Sequence, residues 1–155
     1  MKRSRINRIM QAADEMIRRH GFVLPPFAYW TPDQFRARSD AARIVEARMG
    51  WDITDYGQGR FDQLGLFLFT LRNGNLADLT AGRGMVYAEK LLISQENQIS
   101  PMHTHAIKTE DIINRSGAIY SRRTCPLRQP AITSCCCSRL WVEFRHAAAT
   151  PLASS

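Results

Sequence analysis

The residues of this chain best suited to chemistry lie in one short run, Pro101-Met102-His103-Thr104-His105-Ala106-Ile107-Lys108-Thr109-Glu110. On a strand, residues two apart point to the same face, so His103 and His105 would present two imidazoles side by side. Glu110 follows after a turn that can bring the chain back beside them. Two neutral imidazoles and a carboxylate suit a divalent first-row metal ion, with open positions left to water and substrate. His-x-His alone is often just a pair of surface histidines. The carboxylate placed behind it, in a chain of only four histidines, favours a metal site. Lys108 lies between His105 and Glu110 along the chain. A nearby cation lowers a lysine pKa, so Lys108 could polarise an oxygen or shuttle a proton; a solvated loop lysine is the plain alternative.

These residues need elements to position them. Ile6, Ile9, Met10, Ala13, Met16 and Ile17 recur at helical spacing, with Ser4 as a candidate cap and Gly21 as a stop. Two prolines keep the following aromatic stretch, Leu24-Pro25-Pro26-Phe27-Ala28-Tyr29-Trp30, extended. Phe27 and Trp30 could line a sugar pocket or pack in the core. Thr31, Pro32 and Gln34 form a capping-box start to a second helix, whose apolar residues run from Phe35 to Met49 before Gly50 ends it. Beyond Trp51 the pattern predicts strands over 61–71, 86–94 and 99–105 and one around Ile112-Ile113. Turns fall at Asn73-Gly74-Asn75 and at Gln95-Glu96-Asn97-Gln98. The reading is mainly β: a helical N-terminal arm on an antiparallel β-barrel. Glu89 and Lys90, being consecutive on a strand, cannot both face the barrel interior.

The chain has 155 residues, one domain's worth, with 45% apolar and 23% charged residues, which excludes wholesale disorder. No apolar run approaches the ~20 residues of a membrane-spanning helix. The opening Met-Lys-Arg-Ser-Arg lacks an apolar signal region, so a cytoplasmic protein is expected. The net charge of +7 suggests nucleic acid until its position is considered. Residues 1–20 hold six basic and two acidic residues, and residues 116–155 five and one. Residues 21–115 hold ten and eleven. The body is neutral, whereas a nucleic-acid-binding domain should carry its basic face on the core.

Composition changes after Gly117. The last 38 residues hold all four cysteines (Cys125, Cys135, Cys136, Cys137) but no Gly, Asn, Asp or Lys. Three adjacent cysteines do not converge easily on one tetrahedral ion, and no Cys-x-x-Cys pair is present. Two readings fit: a disordered low-complexity tail, or an out-of-frame translation. A repeated TGC codon, read in the other frames, gives Leu or Ala. The expected organisation is a helical arm over 1–50, the first part of a barrel over 51–117 and an aberrant or disordered tail over 118–155.

The spacing His103-x-His105-x4-Glu110-x6-Gly117 resembles the first conserved motif of the cupin superfamily. That motif usually has glycine six positions before its first histidine; here Asn97 stands there, which also tolerates a left-handed turn. Longer blocks narrow the resemblance. They are Gly21-Phe22-Val23-Leu24-Pro25-Pro26-Phe27-Ala28-Tyr29-Trp30-Thr31-Pro32, Gly50-Trp51-Asp52-Ile53-Thr54-Asp55-Tyr56-Gly57 and Leu68-Phe69-Thr70-Leu71-Arg72-Asn73-Gly74-Asn75. Tyr87-Ala88-Glu89-Lys90, Pro101-Met102-His103-Thr104-His105 and Glu110-Asp111-Ile112-Ile113-Asn114-Arg115 complete the set. In order and spacing these resemble the bacterial D-lyxose isomerase family of cupins.

That resemblance implies a cupin-type jelly-roll barrel, incomplete in this chain, and a manganese-dependent aldose–ketose isomerase interconverting D-lyxose and D-xylulose. It implies metal ligands His103, His105 and Glu110 and an inward Lys90 on the substrate; Lys108, from its place between the ligands, is the catalytic candidate and Trp30 a second substrate candidate. The expected partner is a pentose, with no nucleic acid and no membrane; a homo-oligomer is left open. The family has a fourth ligand, a histidine on a later strand. His146, the only later histidine, does not match its setting and is not assigned. A cupin of other chemistry (an epimerase, an oxygenase or a non-catalytic sugar binder) and an inactive interaction fragment are the alternatives. Product analysis with pentoses and metal content separate them.

Overall fold

The computed structural model describes residues 1–84, 87–101, 109–114 and 137–145. Helix α1, Arg3–Arg19, buries Ala13, Met16 and Ile17 along one side. Lys2, not Ser4, precedes its first turn and offers no side-chain cap, so the expected Ser4 cap is not used. The expected stop at Gly21 is present. Gly21 sits at φ +72°, its N–H donates to Arg18 O (2.9 Å), and Phe22 N–H donates to Ile17 O (3.1 Å). This double closure satisfies the last carbonyls and needs a left-handed residue, which glycine adopts without a Cβ penalty.

The prolines lead into a single 3-10 turn, Pro26–Tyr29. Tyr29 ties it to α1: its hydroxyl donates to Asp14 Oδ1 (2.6 Å), while Arg18 Nε holds Asp14 Oδ2 (2.9 Å). Partial burial, reinforced by the bond to Asp14, raises the Tyr29 phenol above its ordinary pKa.

The capping box is formed as expected. Gln34 N–H donates to Thr31 Oγ1 (3.2 Å) and Thr31 N–H to Gln34 Oε1 (2.9 Å). The helix it starts is short, however. Instead of one helix to Met49 there are two, α2 at Pro32–Arg36 and α3 at Ala41–Glu46. The break falls at Arg38-Ser39-Asp40. Arg38 Nε donates to Asp40 Oδ1 (3.0 Å), and the Arg38 guanidinium lies 4.1 Å from the Trp30 ring centroid. Serine and aspartate offer the backbone local partners that compete with a continuing helix. Val45, expected on the apolar side, is 63% exposed.

Five strands follow in one sheet of order β1-β2-β3-β5-β4. They are β1 Gly50–Thr54, β2 Leu66–Asn73, β3 Ala88–Ser94, β4 Thr109–Asn114 and β5 Cys137–Arg145. The mainly β class with N-terminal helices is as the sequence indicated. Among the described residues the sheet is open, with β1 and β4 at its edges. β1, β2 and β3 pair antiparallel. β5 pairs in parallel with both β3 and β4, where the sequence suggested antiparallel strands throughout. Parallel neighbours need long crossover connections, and the segments before β4 and before β5 have that length. The sequence placed no strand in 118–155; β5 lies there.

Three further differences concern boundaries. The strand expected over 61–71 begins at Leu66, because 61–65 is a turn. Ile99 makes only an isolated parallel bridge to Leu64, and residues 102–105 of the strand expected there lie outside the described residues. The turn at Asn73-Gly74-Asn75 opens a short helix, α4 Leu76–Thr80. Asn75 Oδ1 accepts the Asp78 N–H (2.7 Å) at its start.

Strand alternation divides the sheet into two faces. Phe67 and Phe69 on β2 and Leu91 and Ile93 on β3 face α1 and form the core with Ala13, Met16, Ile17, Leu24 and Phe61. Phe69 is the centre of an aromatic cluster. Phe27 stacks on it (centroids 5.5 Å apart) and Trp51 meets it edge-on (4.8 Å). Trp51 Nε1 donates to Ala28 O (2.9 Å), fixing the 3-10 turn against β1.

The turn before β2 is clamped by Gln98, a buried side chain. Its Nε2 donates to Phe61 O (2.6 Å) and its Oε1 accepts from Gln95 N–H (3.0 Å). Gly65 passes beneath this clamp. A Cβ there would lie 2.5 Å from Phe61 O and 2.7 Å from Gln98 Nε2. Gly65→Ala must therefore displace backbone and break a buried hydrogen bond. We expect it to destabilise the fold by about 3 kcal/mol, read as a lower urea midpoint with an unchanged slope. A shift under about 0.5 kcal/mol would show that the clamp is not as tight as described.

Candidate functional site

His103, His105 and Lys108 lie outside the described residues. Glu110, the third expected metal ligand, is the second residue of β4, in register with Ser138 of β5. The run from His103 to Lys108 therefore leads directly into a strand of the sheet. Among the described residues no three His, Cys, Asp or Glu side chains gather as a metal cluster. The donor set of two imidazoles and one carboxylate fits a divalent first-row ion by its chemistry.

Lys90 lies on β3, opposite Thr70 of β2 and in register with Trp141 of β5. Its neighbour Leu91 is fully buried in the core beneath α1. Alternation thus puts Lys90 on the other face of the sheet, away from α1. Glu89 takes the opposite side from Lys90 and pairs with Arg72 of β2 (3.5 Å). Arg72 also donates to the Tyr87 hydroxyl (3.1 Å). These two contacts, Tyr87 first, hold the guanidinium above its ordinary pKa.

Trp30 is in different surroundings. Its ring meets Phe27 (6.3 Å) and Phe35 (5.9 Å) edge-on, and Arg38 covers one face at 4.1 Å. Through Phe27 it joins the aromatic cluster on the α1 side of the sheet. The structure does not bring Trp30 and Lys90 together. An open cavity of about 410 Å³ at the start of α1, lined by Lys2, Arg5, Arg8, Asp55, Gly57 and Gly59 among others, contains none of the sequence candidates.

The face that carries Lys90 holds a buried polar strand residue that sequence reading passed over. Thr70, with Leu68, is buried there, each 4% exposed. The signal was available in the alternation Phe67-Leu68-Phe69-Thr70, which sets a hydroxyl among apolar residues on a strand apolar on both faces.

A single sheet joined to N-terminal helices places the chain in the mainly β class. The sequence comparisons are more specific. The family model for D-lyxose isomerase matches residues 1–123, and the chain belongs to that family. The match runs a few residues past the change of composition at Gly117. The D-lyxose/D-mannose isomerase of Escherichia coli O157:H7 is 41% identical over 119 residues, which cover 76% of this chain and 52% of that protein. The protein of the same name from Serratia proteamaculans is 40% identical over 119 residues, 76% of this chain and 51% of its own length. The chain thus spans about half the length of the curated relatives it matches.

Proposed function

We propose that this chain is a manganese-dependent aldose–ketose isomerase that interconverts D-lyxose and D-xylulose. The observation that carries the reading is that His103-x-His105-x4-Glu110 falls inside the stretch matched by the D-lyxose isomerase family. The names of the two relatives add D-mannose as a second aldose to test. In this reading the five-stranded sheet contributes to a cupin-type barrel, and the face bearing Lys90 is its interior.

His103, His105 and Glu110 would hold the ion, as two neutral nitrogen donors and one anionic oxygen donor. When bound, it would supply Lewis-acid stabilisation of the negative charge that develops on the sugar oxygens as the carbonyl moves from C1 to C2. Lys108 Nζ would take up and return the proton that moves between those carbons, a role that requires its pKa to fall toward neutrality. Lys90 would donate to a sugar oxygen from the neighbouring strands. Trp30, enclosed by Phe27, Phe35 and Arg38, packs the helical arm against the sheet in this reading.

The test is product analysis with D-lyxose and D-mannose before and after chelation. Ketose should form with Mn²⁺, cease with EDTA and return when Mn²⁺ is restored. His105→Ala should lower the rate more than Lys108→Ala does. Ketose formation that survives full chelation would rule out the metal-dependent mechanism, and an epimer or oxidised product would assign the fold to another chemistry.

A further inference from the structure

Thr70 presents a problem that the fold alone does not solve. Its side chain is on the face of β2 opposite Phe67 and Phe69, where Leu68 is equally buried. Among the described residues its hydroxyl makes no hydrogen bond. A buried hydroxyl without a partner costs free energy, and most such groups in native proteins are satisfied. A strand position that needed only bulk and β-propensity would be served better by valine, which has the same shape and no polar atom. The hydroxyl is also well placed. Thr70 is directly across from Lys90, and side chains of directly opposed residues lie about 5 Å apart at Cβ. Lys90 is in register with Trp141, and Trp141 with Ile112 of β4. The row Thr70, Lys90, Trp141, Ile112 therefore crosses four strands and ends two residues from Glu110. The separation between β3 and β4, two strand spacings, is about 10 Å.

We propose that Thr70 is a specificity-determining residue that holds one hydroxyl of the pentose, in concert with Lys90. The inference rests on the sugar-isomerase reading above and extends it to a residue that neither the metal nor the proton transfer requires. A sugar hydroxyl both donates and accepts. It satisfies the threonine oxygen while taking a hydrogen bond from the lysine ammonium, a pairing that an apolar ligand does not offer. Discrimination follows from the same geometry: a sugar lacking that hydroxyl leaves Thr70 buried and unpaired.

The experiment compares wild type, Thr70→Val and Thr70→Ser in the full chain with Mn²⁺, using D-lyxose and its monodeoxy analogues. Thr70→Val should raise KM for D-lyxose about three- to tenfold, as loss of one neutral hydrogen bond does, with kcat within twofold and the Mn²⁺ isotherm unchanged. Thr70→Ser should restore most of the loss. One monodeoxy analogue should be handled equally by wild type and Thr70→Val. If Thr70→Val does not fold, Thr70→Ala is compared in the same way. An unchanged KM in the variant, or an equal penalty with every analogue, would overturn the proposal and leave the isomerase reading standing. A wild-type chain that neither converts nor binds D-lyxose would overturn both.

Discussion

Phe69→Ala is expected to cost the fold about 4 kcal/mol, the largest loss from any single truncation in the core. Phe69 is fully buried and touches both Phe27 and Trp51. It therefore joins the 3-10 turn, β1 and β2, as well as the underside of α1. Removing the ring takes away the transfer free energy of a large side chain and leaves a cavity that three elements would have to close together. Burial of one aromatic ring also carries about 0.5–1.5 kcal/mol of ring–ring contact beyond its area. Against a total stability of about 5–15 kcal/mol, such a loss populates the unfolded chain visibly. Urea titration followed by Trp fluorescence measures it. A loss below about 1 kcal/mol would mean that α1 and the 3-10 turn are not seated on this face of the sheet.

Local signals were the legible part of the sequence. The glycine stop of α1, the Thr31–Gln34 capping box and the left-handed Asn97 (φ +57°) all stand where residue type placed them. Each depends on one residue's own backbone preference and a partner within five positions. Strands β2 and β3 were visible too, β2 as the near-continuous apolar run of a doubly buried strand and β3 through Leu91-Leu92-Ile93. The helix over 31–50 was misread because periodicity continues through Arg38-Ser39-Asp40, whereas the Arg38–Asp40 contact and the stacking of Arg38 on Trp30 depend on tertiary placement. Helix α4 was missed because Asn75 reads equally well as a turn residue and as a cap. Parallel pairing of β5 with β3 and β4 involves residues far apart in sequence, and period-two alternation is the same in either strand direction.

The candidate site divides along the same line. The two histidines and the carboxylate proposed as ligands are singled out by their spacing, because ligand chemistry restricts residue type. Thr70 was not, because a threonine in a strand is ordinary. Only the burial of its hydroxyl and its register against Lys90 single it out. Trp30 shows the converse. Aromatic residue type left a sugar platform and core packing equally open, and only the structure shows its neighbours, two phenylalanines and an arginine.

Loss of Mn²⁺ binding in His103→Ala is the second large effect. A divalent ion held by three protein donors loses one of its two imidazoles, and a single outer partner of such a ligand is commonly worth ~10–100-fold in affinity. A direct ligand should be worth at least that, so the variant's affinity is expected to fall by about 100-fold or more. The neighbouring Thr104 is a useful control, because a neutral hydroxyl is a weak donor beside imidazole and carboxylate. Thr104→Ala should bind as the parent does. The ligands must be unprotonated, so binding should also weaken as pH falls below about 6.5, where free imidazole gains its proton. The most direct test is calorimetric titration of Mn²⁺ into the full chain and into His103→Ala at neutral pH. The account predicts one site per chain in the parent and none detectable in the variant; superimposable isotherms would contradict it.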